Sequence, residues 1–164
     1  MVDSALSNRR ATAWHEAGHA VVALAVGRTI QRVSIVPGNL QGGGVRLGAC
    51  QMKKGRSKPS KEVLEDDVLI LFAGMVAEAR LTGTYCPQGA NSDLRMIRRL
   101  LQNRGGSERQ LDRLERRLLD KTEHLLNEDQ NIKAVELIVA ELLEKETISG
   151  RSAQHLFNMA TATK

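Results

Sequence analysis

Aromatic side chains are almost missing from this chain of 164 residues: Trp14, Phe72, Tyr85 and Phe157 make up 2% of it. The interior must therefore be filled by Leu, Val, Ile and Ala, and no row of rings exists on which successive bases of a single-stranded nucleic acid could stack. Cysteine is just as scarce. Cys50 and Cys86 stand alone without CxxC spacing, which argues against a disulfide framework or a thiolate zinc site. Two isolated thiols fit a reducing compartment, the cytoplasm, and are expected to be buried and structural. No stretch of about 18 apolar residues occurs, and the first ten residues are polar rather than a charged tip ahead of an apolar segment. Neither a membrane span nor a secretion signal is read here.

What remains is an ordinary globular balance, 41% apolar and 26% charged, in a length that suits one hydrophobic core. A single domain over residues 1–164 is expected. The net charge is +5, and eight arginines fall between Arg95 and Arg117. A basic nucleic-acid-binding protein would show such a cluster. Without interleaved aromatics the arginines read better as a solvated helix face, and no nucleic acid is expected.

Apolar residues recur at helical spacing from Ser7 to Gly27, through Trp14, Gly18, Val21, Val22 and Ala25. Ile30–Val36 alternates like a strand, and after Pro37–Gly38 the stretch Val45–Cys50 is expected to pair back onto it. Gln51–Lys58, polar and basic with a glycine, reads as a surface loop. Pro59 suits the first turn of a second helix that carries Leu64, Val68, Leu71, Phe72, Met75, Val76 and Ala79 and stops at Gly83. Asn91 or Ser92 is expected to cap a third helix, and Ser107 with Gln110 forms a capping box for a fourth. Ile132, Val135, Ile138 and Leu142 mark a fifth, and Ser149 opens a sixth. The fold class is mainly α (α+β): helices with one small sheet near the N-terminus.

One motif carries chemistry. His15-Glu16-Ala17-Gly18-His19 is HExxH, and on a helix its histidines lie one turn apart on one face, where both imidazoles reach one ion. Zinc favours nitrogen ligands, and a catalytic site keeps a position open for water after three protein ligands. Glu16 is placed to take the proton of that water as it attacks a carbonyl. The third ligand must come from elsewhere, since Val22 stands where the extended HExxHxxGxxH pattern needs glycine.

Five stretches taken in order resemble the peptidase domain of FtsH-type AAA zinc proteases: His15 to Ala20, Val33 to Pro37, Ala73 to Glu78, Gly89 to Leu94, and Glu144 to Gly150. The resemblance implies that Asp93 completes the zinc site. Within the single domain a zinc-site half, about residues 7–104, and a C-terminal helical part, about residues 107–160, are expected. Asn91-Ser92 reverses the family's usual Ser-Asn order ahead of that Asp, and Ala79 replaces a second Glu. Glu78, in the third stretch, is a rival ligand or else an ion-pair partner. His124 and His155 lack a metal-spaced partner and read as surface or packing residues.

Gly42-Gly43-Gly44 lacks the lysine and hydroxyl of a phosphate loop, so ATP binding of that kind is not encoded. The expected function is a zinc-dependent endopeptidase acting on unfolded or flexible protein segments. Either a separate AAA ATPase partner feeds it, or it cuts flexible chains unaided, or the sequence is a fragment of a longer protein, and the resemblance implies a homo-oligomeric ring. Gly44, Val45 and Arg46 on a strand edge are expected to align the peptide by main-chain hydrogen bonds. A catalytically idle adaptor retaining the fold is the alternative, against which the intact Glu16 speaks.

Overall fold

The computed structural model describes residues 2–39, 45–46, 48–56, 62–87 and 90–162. The N-terminal periodicity becomes helix α1, Val2–Ala25, which starts ahead of the expected Ser7 because neither glycine nor proline interrupts the chain before Gly18. Its inner side is built of small residues, with Ala13, Ala17, Ala20 and Val21 fully buried. They let α2, Val63–Thr82, lie close against it. At the crossing a Cβ on Gly18 would collide with the Ala73 carbonyl oxygen and stand 2.5 Å from the Ala77 Cβ. Pro59, expected in the first turn of this helix, lies outside the described residues.

Strand β1, Arg28–Ser34, forms the centre of a three-stranded antiparallel sheet. On one side it pairs with β4, Ala49–Arg56, and on the other with β5, Thr147–Ser149, so that Val33 stands opposite both Cys50 and Ile148. A separate ribbon joins β2, Gly38–Asn39, to β3, Val45–Arg46. Two expectations are corrected here. The strand expected over Val45–Cys50 is divided between β3 and β4, and the expected loop Gln51–Lys58 is strand as far as Arg56. Among the described residues β4 is an edge strand, and an edge tolerates the lysines and glycine that made it read as a loop.

Four helices follow: α3, Asn91–Arg104, α4, Glu108–Asn127, α5, Asp129–Lys145, and α6, Gly150–Ala162. The capping box of α4 is present, with Ser107 N donating to Gln110 Oε1 at 2.9 Å and Gln110 N to Ser107 Oγ at 3.2 Å. Ser149 Oγ accepts from Ser152 N at 3.1 Å and caps α6. At α3 the cap position falls on buried Ala90, whose carbonyl accepts from Leu94 N, so Asn91 and Ser92 lie inside the helix and neither caps it. Leu114, Leu118 and Leu126 of α4 and Val135, Ile138 and Leu142 of α5 join the α1–α2 interior in one contiguous aliphatic core. All eight arginines from Arg95 to Arg117 are exposed, and Arg117 pairs with Glu65 at 2.8 Å. Among the described residues no helix is long and apolar enough to cross a membrane.

Candidate metal centre

On α1 the one-turn spacing of His15 and His19 sets their rings edge to face, centroids 4.7 Å apart and planes at 80°. Both Nε2 atoms point at one oxygen of α3: Asp93 Oδ2 lies 3.0 Å from His15 Nε2 and 3.1 Å from His19 Nε2. The opposite ring nitrogens are held from behind by α2. His19 Nδ1 donates to the Ile70 carbonyl at 2.6 Å, and His15 Nδ1 stands 3.2 Å from Glu78 Oε2. A carbonyl only accepts, so in the neutral His19 ring the proton sits on Nδ1 and the Nε2 lone pair faces Asp93. Glu78 thus orients a histidine from the far side, the usual place for a residue that supports a metal ligand.

The gap between α1 and α2 is set by a missing side chain. A Cβ on Gly74 would lie 2.5 Å from the Nε2 of both His15 and His19, so any larger residue would push the imidazoles out of place. The pattern alone could not show this, since glycine inside a helical run reads first as a weak spot.

Charge and burial act against each other here. Burial favours the neutral imidazole of His15, but hydrogen bonds to Asp93 and Glu78 outweigh it and push its pKa up to about 10. His19 moves the same way, its burial overcome by Asp93. For Asp93, burial favours the neutral carboxyl, yet the two imidazoles hold it well below the usual carboxylate range. The three groups thus stabilise positive charge at the point where they meet. Their ligating atoms all lie within 4.8 Å of one another. Tetrahedral donors about 2.0–2.1 Å from zinc stand roughly 3.4 Å apart. Two nitrogens and one carboxylate oxygen gathered in this way are a donor set that suits a zinc ion.

Glu16, next to His15 on α1, is 7% exposed, a Cβ on Gly48 would come within 3.0 Å of its Cγ, and its charge acts on both imidazoles. Burial, with the charge of Glu16 nearby, pushes the Cys50 thiol well above its usual range, which leaves it inert as a nucleophile. Cys86 is exposed, contrary to the expectation of a buried structural thiol. His124 and His155 are exposed on α4 and α6, away from this cluster. Val45 and Arg46 form β3, and Gly44 lies outside the described residues.

Beside the cluster opens a cavity of about 320 Å³ that reaches His19 and Asp93. Met52 of β4, Ile70 and Leu71 of α2, and Met96 and Leu100 of α3 form its apolar wall, with Arg28 and Asp67 also lining it. Reasoning from the sequence missed these residues. Met52 fell in a stretch read as loop, and the others follow helical or strand periodicities that do not show which faces meet.

A sequence model of peptidase family M41 matches residues 3–107. The ATP-dependent zinc metalloprotease FtsH 3 of Sorangium cellulosum is 32% identical over 91% of this chain and 28% of its own length. Similar proteins named ATP-dependent zinc metalloprotease FtsH occur in Protochlamydia amoebophila, 35% identical over 59% of this chain and 10% of the relative, and in Ruminiclostridium cellulolyticum, 31% identical over 58% and 15%. The chain therefore spans less than a third of the length of these relatives.

Proposed function

This chain belongs to peptidase family M41, and from that membership we propose that it is a zinc-dependent endopeptidase cleaving unfolded or flexible protein segments. The observation that carries the reading is the convergence of His15 Nε2, His19 Nε2 and Asp93 Oδ2 on one point. In this proposal those three atoms hold the zinc, and Glu78 and the Ile70 carbonyl orient the imidazoles.

Bound there, zinc supplies a Lewis acid that makes water a nucleophile near neutral pH and polarises the scissile carbonyl. The chain's own part is proton handling and alignment. The Glu16 carboxylate accepts the proton of the attacking water and returns it to the leaving amine, so one group serves as base and then acid. Its burial keeps competing solvent away. The outer edge of β4, unpaired among the described residues, offers main-chain groups along which an extended peptide can lie. Contacts to substrate from Gly44, Val45 and Arg46 belong to the same proposal.

We also propose that residues 1–164 act as one unit, as a homo-oligomer, with a separate AAA ATPase delivering substrate. The cytoplasm is the proposed setting, in keeping with the free thiols of Cys50 and Cys86. The test is metal content across variants. His15→Ala, His19→Ala and Asp93→Asn should each reduce bound zinc from one per chain to near none, since each removes one of three protein ligands. Glu78→Gln should retain it. Zinc lost from Glu78→Gln but kept by Asp93→Asn would overturn the assignment, and full zinc in a protein that cuts no unfolded substrate would favour the adaptor.

A further inference from the structure

Beyond His19 and Asp93 of the cluster, the cavity is lined by apolar side chains, the Cys50 thiol and one further pair of charges. Arg28 of β1 and Asp67 of α2 meet across it at 2.9 Å, with 22% and 32% of their side chains exposed. Asp67, Ile70 and Leu71 share one face of α2, while Asp93, Met96 and Leu100 share one face of α3. Seven residues of helix rise about 10 Å, so the trough along α3 runs about that far from the Asp93 carboxylate. At about 320 Å³ it sits at the lower limit for a ligand pocket, which suits one long side chain rather than a cofactor.

We propose that this cavity receives a substrate side chain flanking the scissile bond, and that the Arg28–Asp67 pair makes it select large uncharged side chains of the leucine and methionine kind. The inference rests on the reading of the cluster as a peptidase centre. The wall of five aliphatic and methionine side chains favours an apolar guest. Arg28 and Asp67 neutralise each other, and His19 and Asp93 are engaged with one another in the cluster, so a charged guest would lose its water without gaining a free counter-charge. Removing one partner leaves the other unpaired in the pocket and should reverse that preference. Arg28→Met frees a carboxylate for lysine, and Asp67→Asn frees a guanidinium for glutamate.

Met52 and Met96 line the pocket and make it observable without catalysis, while Met159 on α6 is exposed and outside it. The experiment uses zinc-loaded protein carrying Glu16→Gln and methyl-labelled methionine, titrated with ten-residue peptides that differ only in Leu, Met, Lys or Glu at either position flanking one Ala–Ala bond. Leu and Met peptides should shift the Met52 and Met96 signals and leave Met159 unmoved, with Lys and Glu peptides binding at least about tenfold more weakly. Added Arg28→Met should strengthen the Lys peptide by about tenfold, and added Asp67→Asn the Glu peptide. An unmoved Met159 signal shows that each variant keeps its fold. Unshifted Met52 and Met96 signals, or one ranking of peptides in all three proteins, would overturn the proposal. If the parent protein hydrolyses none of these peptides while the methyl shifts follow the expected ranking, the peptidase reading fails and the pocket assignment stands.

Discussion

Asp93 holds two imidazoles in their charged form and they hold it ionised, and this reciprocity sets how the cluster responds to pH. The pKa of His15 is raised from 6.5 to about 10 in the folded chain, so its contribution to stability is fully present below about pH 6.5 and is lost as pH rises through 10. Asp93 is shifted down from 3.8, so its contribution is present above about pH 4 and is lost as pH falls further. Chelator-treated protein should therefore gain most from the cluster between about pH 4 and 6.5, as urea unfolding at a series of pH values would show. In Asp93→Ala the decline above pH 6.5 should flatten, and an unchanged profile would refute the coupling. Zinc must displace the proton on His15, so its apparent affinity should rise with pH over the same alkaline range. At this scale the sequence was informative, because His15, Glu16 and His19 are tied together by helical spacing alone. Asp93 was reachable only through resemblance, since a carboxylate in the first turn of a helix is common decoration. The supporting carbonyl of Ile70 has no signature in a side-chain alphabet.

Helix α2 is the element on which the centre depends, because it orients both histidines from behind and lines the cavity in front. Gly74→Ala would place a methyl 2.5 Å from both ligating nitrogens. Relief of such overpacking typically costs about 1–3 kcal/mol, so zinc affinity should fall by roughly tenfold to a hundredfold while the far-ultraviolet circular dichroism stays that of the parent. Unchanged affinity would mean that the two helices can separate freely. At the start of α4, Ser107→Ala removes the hydroxyl that accepts from Gln110 N and should cost about 1 kcal/mol. That is roughly 2–4 °C in thermal midpoint for a chain of this size, with zinc content unaffected. The long helices and this cap were legible because periodicity and capping chemistry are local. Strands β4 and β5 were not. Thr147–Ser149 is too short to show alternation, and β4 pairs through its backbone while lysines decorate its exposed side.

In the whole molecule, zinc would join helices that otherwise meet through α2, since α3 packs on α2 and α4 while Asp93 alone of its side chains is hydrogen-bonded to the α1 histidines. Free zinc at about a thousand times its dissociation constant adds about 4 kcal/mol, so removing it should lower the thermal midpoint by roughly 8–16 °C. A midpoint indifferent to chelator would contradict a bridging ion. The architecture of helices around a small sheet could be read from periodicity, but the cavity could not, because it is made where β4, α2 and α3 meet and no spacing in the chain records that meeting. The most direct measurement takes parent and Glu16→Gln preparations side by side, counting zinc by mass spectrometry and following cleavage of an unfolded substrate, with a chelator control. One zinc per chain in both, with hydrolysis reduced by roughly a hundredfold or more in Glu16→Gln, is the predicted result. Hydrolysis at the parent rate by the zinc-loaded Glu16→Gln protein would contradict it.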